Sequence, residues 1–434
     1  MSHVFYRTPS RSYPIIDRGE DIYLWDTTGQ RYLDGSSGAL VVNVGHGRAR
    51  VAEAMAAQAR RVAFAHTMRF TSDAQEHLGS RIAQHLPHWA GAYTYLVSGG
   101  SEAVETAIKL ARHYHRERGD LGRFKIMTRW ASYHGNTLGA LAASGHLLRR
   151  RPYAPLLADP AFIHFVPEGH KPTEPCTCAA DLEAMIQQQD PTSIAALMLE
   201  VVGGSALSGF VPHPGYLATV EQVCRRYGML FIVDEVMTGM GRTGDWWAHE
   251  QEGIHPDMMV LAKGLASGYS PLGAVVARRD IWEAVRGGSG SFPHGFTYGG
   301  NPVSAAAGGA VFAIMEDEGL VENAQRQASY LRHQLECLQA HHPLVTAIRG
   351  RGLMQGLVLA THSGPGGKRA QEIADEAFRQ GLIIYPGSGN PQTPQGDHLL
   401  VAPPLTVQAG GIDELIGLLD ATFTKIEATT DDIP

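Results

Sequence analysis

Three short apolar runs, each ending on residues of a different chemistry, set what this chain can fold into. Tyr93-Thr-Tyr-Leu-Val97 ends on Ser98-Gly99-Gly100, Leu230-Phe-Ile-Val233 on Asp234-Glu235, and Met258-Met-Val-Leu-Ala262 on Lys263-Gly264. A fourth run, Ile194 to Leu199, leads into Glu200. Short continuous apolar runs of this kind read as parallel strands buried on both faces. After the first run, Val104, Ala107, Ile108, Ala111 and Tyr114 recur at helical spacing between Ser101 and Arg118. The pattern predicts an α/β fold with a mainly parallel sheet flanked by helices, and ligands at the carboxyl ends of the strands.

The ends of the chain read differently. Asp21 to Trp25 and Gln30 to Leu33 form two strands around the turn Asp26-Thr-Thr-Gly29, and Val51 to Arg60 forms a helix. Beyond residue 320 come a helix (Val321 to Gln339), a strand (Gly356 to Leu359) and a helix (Gly367 to Gln380). Pro343 and the Gly350/Gly352 pair punctuate the start of this smaller α+β unit. The expected division is an N-terminal segment 1–55 that joins the small domain, a large domain 56–319, and a C-terminal small domain 320–434.

Composition narrows the function classes. A 434-residue chain with 44% hydrophobic residues has the material for more than one domain and a large core. With 43 acidic against 36 basic residues, the net charge of −7 argues against a nucleic-acid surface. The run Arg149-Arg150-Arg151 is short and local. Four cysteines make no disulfide framework. Cys176-Thr-Cys178, with His164 and His170 upstream, matches no zinc spacing and reads as a surface loop with reduced thiols. Met1 to Pro14 carries no leader-like apolar segment, and no run is long enough for a bilayer. The cytoplasm is the expected location, with no metal and no membrane partner. Glycine is in excess, 50 of 434, and gathers in short runs such as Ser98-Gly99-Gly100 and Tyr298-Gly299-Gly300.

Each strand end has an ordinary reading by itself. Ser98-Gly99-Gly100-Ser101 before a helix makes an anion site from backbone N–H groups, or merely a tight turn. It is neither a P-loop nor GxGxxG. Asp234 suits a cationic ring nitrogen, but also a helix cap or a magnesium site. Lys263 is placed for desolvation, which frees the neutral amine for Schiff-base formation; a strand-end lysine also simply snorkels. Together, phosphate cup, carboxylate and lysine lie in order on one sheet. They match the phosphate, ring nitrogen and aldehyde carbon of pyridoxal 5′-phosphate.

Further motifs run nearly the whole length: Gly19-Glu-Asp-Ile-Tyr-Leu-Trp-Asp26, Val42-Asn-Val-Gly-His-Gly47, Ser98-Gly-Gly-Ser-Glu-Ala103 and Ser132-Tyr-His-Gly-Asn-Thr137. Asp234-Glu-Val-Met-Thr-Gly-Met-Gly-Arg-Thr-Gly244, Ala262-Lys-Gly-Leu265 and Phe296-Thr-Tyr-Gly-Gly-Asn-Pro302 follow. The ordered set resembles the class III pyridoxal-phosphate aminotransferases of fold type I, which include the ω-amino-acid and amine transaminases. The resemblance implies a ping-pong transaminase with an amine or ω-amino acid donor and a keto acid acceptor. Lys263 is similar to the family's internal-aldimine lysine and proton shuttle, and Asp234 to the carboxylate that keeps the pyridine nitrogen protonated. Ser98, Gly99, Gly100 and Ser101 resemble the phosphate cup, Tyr133 the ring-stacking aromatic, and Val236 the packing on the opposite ring face. His134, Gly135 and Glu200 match positions beside the cofactor. Thr297 resembles a threonine that reaches the phosphate of the neighbouring subunit, which implies a homodimer. Aminomutases, racemases and decarboxylating aminotransferases of the same fold share Lys263 and Asp234, and the sequence leaves them open.

One departure concerns substrate. In relatives acting on α- or γ-carboxylate substrates, the glutamate at Glu200 pairs with a movable arginine three residues before a proline. That position falls on Leu400 in Leu399-Leu-Val-Ala-Pro403. Amine transaminases carry a flexible arginine slightly earlier, but Tyr385 to Asp397 contains none. Arginine is the usual bidentate reader of carboxylates. The donor therefore lacks a carboxylate at the usual place, or another arginine such as Arg69 supplies the contact. Ala39-Leu40 suggests an aliphatic wall, and the Tyr385 to Asp397 loop is expected to decide substrate choice.

Overall fold

The computed structural model describes residues 3–89, 91–165, 178–360, 369–387 and 397–428. A seven-stranded sheet runs, in spatial order, Ala92–Val97, Gly273–Arg278, Met258–Leu261, Leu230–Asp234, Ile194–Glu200, Lys125–Arg129 and Phe162–Phe165. The last five pair parallel. Gly273–Arg278 is antiparallel to both its neighbours. Two reversals cancel, so Val97 ends at the same edge as Leu261, Asp234 and Glu200.

The apolar runs are continuous because both faces of the sheet are covered. Leu197, Leu199, Phe231, Val233, Met259 and Leu261 pack into one core cluster. Their alternates Ala196, Met198, Leu230, Ile232, Met258 and Val260 pack into another. The helix Gly100–Glu117 lies over that second cluster with Ala103, Val104, Ala107, Leu110, Ala111 and Tyr114.

Two smaller sheets flank the large one. Ile16–Glu20, Tyr23–Asp26 and Arg31–Asp34 form an antiparallel meander that Leu382–Ile383 extends in parallel, so distant parts of the chain share one sheet. Val345–Arg351, Met354–Leu359, His398–Val401 and Tyr385–Gly387 make the other. Tyr385 to Gly387, expected as part of a loop, is an edge strand paired with His398–Val401. Residues 388–396 of the expected specificity loop lie outside the described residues, as do Cys176, His170 and the side chain of Cys178. The remaining cysteines are free, Cys224 buried and Cys337 exposed. Among the described residues, no helix is long and apolar enough to cross a membrane.

One side chain stitches these units together. Arg242 is fully buried and donates to the carbonyls of Leu353 (3.1 Å) and Pro403 (2.5 Å), to Ser37 Oγ (3.1 Å) and to Asn43 Oδ1 (2.9 Å). Burial pulls its guanidinium down to about 9. Its Nε has no partner among the described residues, whereas the Glu235 carboxylate, also buried, takes hydrogen bonds from the His249 backbone N–H (2.8 Å) and from Thr238.

Candidate active site

Strand register brings the charged strand ends together. Glu200 pairs with Asp234 across adjacent parallel strands, and Asp234 pairs with Val260 on the next. Lys263 follows that third strand directly, opening a short 3-10 turn Lys263–Leu265. Its φ of +49° lies in the left-handed region, where a residue with a Cβ is held only against strain.

These three residues line one cavity of about 450 Å³, together with Ser98, Gly99, Gly100, Ser101, Tyr133, His134, Gly135, Val202 and Val236. Its far end is the N-terminus of Gly100–Glu117, where unpaired backbone N–H groups and the helix dipole favour an anion. Gly273 allows this arrangement. A Cβ there would stand 2.6 Å from the Gly99 carbonyl oxygen, so only glycine lets its strand pass under the turn. Gly135 is held at φ +148°, and a Cβ on it would meet Ser101 Oγ at 2.6 Å.

Asp234 is fixed from two sides. His134 Nδ1 donates to Oδ2 at 2.7 Å, and the Val236 backbone N–H donates to Oδ1 at 3.0 Å. His134 is itself held where its backbone N–H donates to Ser144 Oγ at 2.8 Å. Its Nε2 is buried without a partner among the described residues. Glu200 Oε1 accepts the Gly204 backbone N–H at 3.1 Å, while Oε2 is buried and unpartnered. Burial pushes the Glu200 carboxyl up, and the Asp234 charge adds to this against the pull of His134.

Lys263 feels the opposite effect. Burial lowers its ammonium to about 8, against the opposing attraction of Asp234 and Glu200 and with the help of Arg149 and Arg242. A buried lysine that is partly neutral near pH 8, facing two carboxylates at the edge of a parallel sheet, is a nucleophile in waiting.

The cavity thus gathers all but one of the residues that the sequence matched to the cofactor site. Thr297 is the exception: it lines a separate cavity of about 1020 Å³ with Phe296, Gly299 and Gly300. Gly264 abuts Asn43, whose Nδ2 would stand 2.4 Å from a Cβ placed there. Arg69 is exposed and does not line the Lys263 cavity. The sequence reading missed the bond between His134 and Asp234, which no spacing signals across a hundred positions, and it missed Arg149. The Arg149 guanidinium lies 4.3 Å from the Tyr133 ring centroid.

Comparison with known proteins bears on this site. The family model described as Aminotransferase class-III matches residues 6–423. The chain belongs to the class III aminotransferases. It is 36% identical over 429 residues to the uncharacterized aminotransferase YodT of Bacillus subtilis, covering 96% of each chain. A solved transaminase from the marine bacterium Virgibacillus superposes with a TM-score of 0.91 at 30% identity, over 98% of this chain and 97% of that one. An amine transaminase from an uncultivated Pseudomonas species, solved in its PLP-bound internal aldimine form, gives 0.89 at 32% identity over 98% and 99%. This class III aminotransferase therefore has the fold type I architecture of its solved relatives, and it is an enzyme.

The lowered Lys263 has a measurable consequence. Only the neutral amine attacks an aldehyde, and the neutral fraction rises with pH until it saturates above the group's midpoint. For enzyme stripped of cofactor, the rate of pyridoxal phosphate capture is expected to climb by about tenfold per pH unit below about 8 and to level off above it. Stopped-flow absorbance across pH 7 to 10 checks this. A rate still climbing at pH 10 would mark an unperturbed lysine.

Proposed function

We propose that this class III aminotransferase moves an amino group from an amine or ω-amino acid donor to a keto acid, in a ping-pong cycle centred on Lys263. The cofactor is pyridoxal phosphate, and the cavity suits it. Gly99, Gly100, Ser98 and Ser101 would hold the phosphate at the helix N-terminus, while Tyr133 and Val236 would pack on the ring. When bound, the cofactor supplies a cationic ring that accepts the electron pair left when the donor carbon loses its proton. Asp234, oriented by His134, holds a proton on the ring nitrogen. Lys263 Nζ takes the proton from the donor carbon and returns it at the cofactor carbon. Glu200, buried beside Asp234, closes the floor of the cavity.

The observation that carries the donor class is the wall at Leu400. Leu400 is fully buried in an apolar cluster with Leu40, Val202, Met354 and Ala402, against which Met237 and Tyr385 pack. Val202 and Met237 also line the Lys263 cavity. Leu400 itself does not line the cavity but packs behind Val202 and Met237, so the position where related enzymes present an arginine here backs an apolar lining suited to a hydrocarbon arm. With pyruvate as acceptor, donors without an α-carboxylate are expected to exceed α-amino acids in kcat/KM by at least about tenfold, the worth of one missing charged hydrogen bond. A donor panel checks this, and a strict preference for α-amino acids would contradict it.

The same reading makes the enzyme a homodimer. Phe64, Met68, Phe70 and Tyr298 are 44–81% exposed on the face that carries Thr297, an apolar patch suited to a second copy. In such a dimer Thr297 reaches the partner's phosphate site. The exposed free thiol of Cys337 suits a reducing cytoplasm.

A further inference from the structure

A transaminase whose donor needs no carboxylate still has an acceptor that carries one. A keto acid must place its carboxylate somewhere in the same cavity, and the Leu400 wall offers it nothing. The arginines around the site are mostly committed. Arg242 is buried and spends its guanidinium on two carbonyls, Ser37 and Asn43. Arg129 is fully buried and donates Nη2 to the Glu200 carbonyl at 2.6 Å; its Nε and Nη1 have no partner among the described residues, but it does not line the cavity. Arg150 is buried, donates to the carbonyls of Leu141 (3.0 Å), Ala142 (2.6 Å) and Ser144 (3.0 Å), and pairs with Asp159.

Arg149 differs from all of these. It sits on the short helical turn Leu147–Arg150, which its buried neighbour Arg150 anchors, and is half-buried. Its guanidinium lies over the Tyr133 ring, and Tyr133 lines the Lys263 cavity. Among the described residues its side chain makes one hydrogen bond, and a long one, Nη2 donating to Tyr385 Oη at 3.4 Å. Tyr385 in turn packs on the Leu400 cluster. Among the described residues, Arg149 makes no ion pair. Its charge is felt inside the cavity, where it disfavours the protonated form of Lys263.

We propose that Arg149 is the residue that binds the carboxylate of the keto acid acceptor; this rests on the transaminase reading above. A guanidinium stacked by its face on an aromatic ring keeps its N–H edge free in the plane, and that edge is what grips a carboxylate bidentately. Stacking on Tyr133 orients the fork, and the Tyr385 hydroxyl holds one corner of it. The cation thus stands behind Tyr133, which lines the cavity, and is joined through Tyr385 to the strand that carries Leu400, where the family's arginine is missing. A carboxylate-free donor fills the aliphatic side without using Arg149, and the keto acid then uses it in the second half of the cycle. One cavity serves two unlike substrates through two different walls.

The test separates the two half-reactions in the holoenzyme. The acceptor half-reaction is measured with pyruvate and with propanal, which offers a carbonyl without a carboxylate; the donor half-reaction is measured with benzylamine. In Arg149→Met, kcat/KM for pyruvate is expected to fall roughly 10–100-fold, mainly through KM, and for propanal by less than about threefold. Arg149→Lys, which keeps the cation but not the fork, should recover part of the loss and also covers the case of a Met variant that does not fold. Equal losses for pyruvate, propanal and benzylamine would make Arg149 a support for Tyr133 and overturn the proposal. So would an unchanged pyruvate KM. If the unmodified enzyme aminates neither acceptor with any amine, the transaminase reading itself falls, and this proposal with it.

Discussion

Lys263→Ala is expected to reduce turnover of amine and keto acid by at least on the order of 10³-fold. The side chain has two tasks that no neighbour duplicates. Among the described residues it is the only lysine lining the cavity, so without it the cofactor would be held by hydrogen bonds and packing alone. On the proposed function it is also the base that carries the proton between carbons, a task for which the neighbouring carboxylates Glu200 and Asp234 are held by other contacts. Asp234 is bound to His134 and the Val236 N–H, and Glu200 accepts the Gly204 N–H. The visible band that pyridoxal phosphate acquires on joining a lysine amine should vanish in the variant, while the free aldehyde's band remains. A variant that keeps both that band and full turnover would mean that another amine does the chemistry.

The second large effect is expected at Asp234. Asp234→Asn keeps the size of the side chain but removes the charge that a protonated ring nitrogen needs. In a buried site, losing one member of a hydrogen-bonded charge pair costs about 3–5 kcal/mol. Turnover should therefore drop roughly 10²–10³-fold or more, with cofactor still captured by Lys263. The loss should lie in kcat rather than KM, because the charge matters most when the ring takes up electrons. Steady-state kinetics with the best donor of the panel measures it. A fall in KM alone, or no loss at all, would show that the carboxylate serves the fold and not the ring. His134 tests the same contact at one remove. Its Nδ1 is the hydrogen bond that aims Asp234, so His134→Phe should give a weaker loss of the same kind.

The strand ends were readable from the residues because burial makes them expensive. A carboxylate or ammonium directly after a run such as Leu230–Val233 has to be paid for by some function, and parallel strands announce themselves by having no polar face. The antiparallel strand Gly273–Arg278 was not readable, since an apolar run does not encode its own direction. Arg149, Arg150 and Arg151 are the clearest case of what letters withhold. Successive residues of a helical turn point about 100° apart. Arg150 thus turns inward to cap three carbonyls, Arg149 comes to lie over an aromatic ring, and Arg151 is left in solvent. Gly264 shows the same limit, because the neighbour that demands glycine there, Asn43, is more than two hundred positions away.

Arg242 has a consequence for how the enzyme comes into being. Its four acceptors lie at Ser37, Asn43, Leu353 and Pro403, on either side of it and up to 205 positions away. During synthesis the guanidinium emerges with the first two already made and the last two still unwritten. A buried arginine with half its donors idle is unstable, so this joint cannot lock until the chain beyond Pro403 has left the ribosome. Asn43, which Arg242 holds, presses on Gly264 beside Lys263. The turn that carries Lys263 is thus tied, through Asn43 and Arg242, to chain on both sides of it.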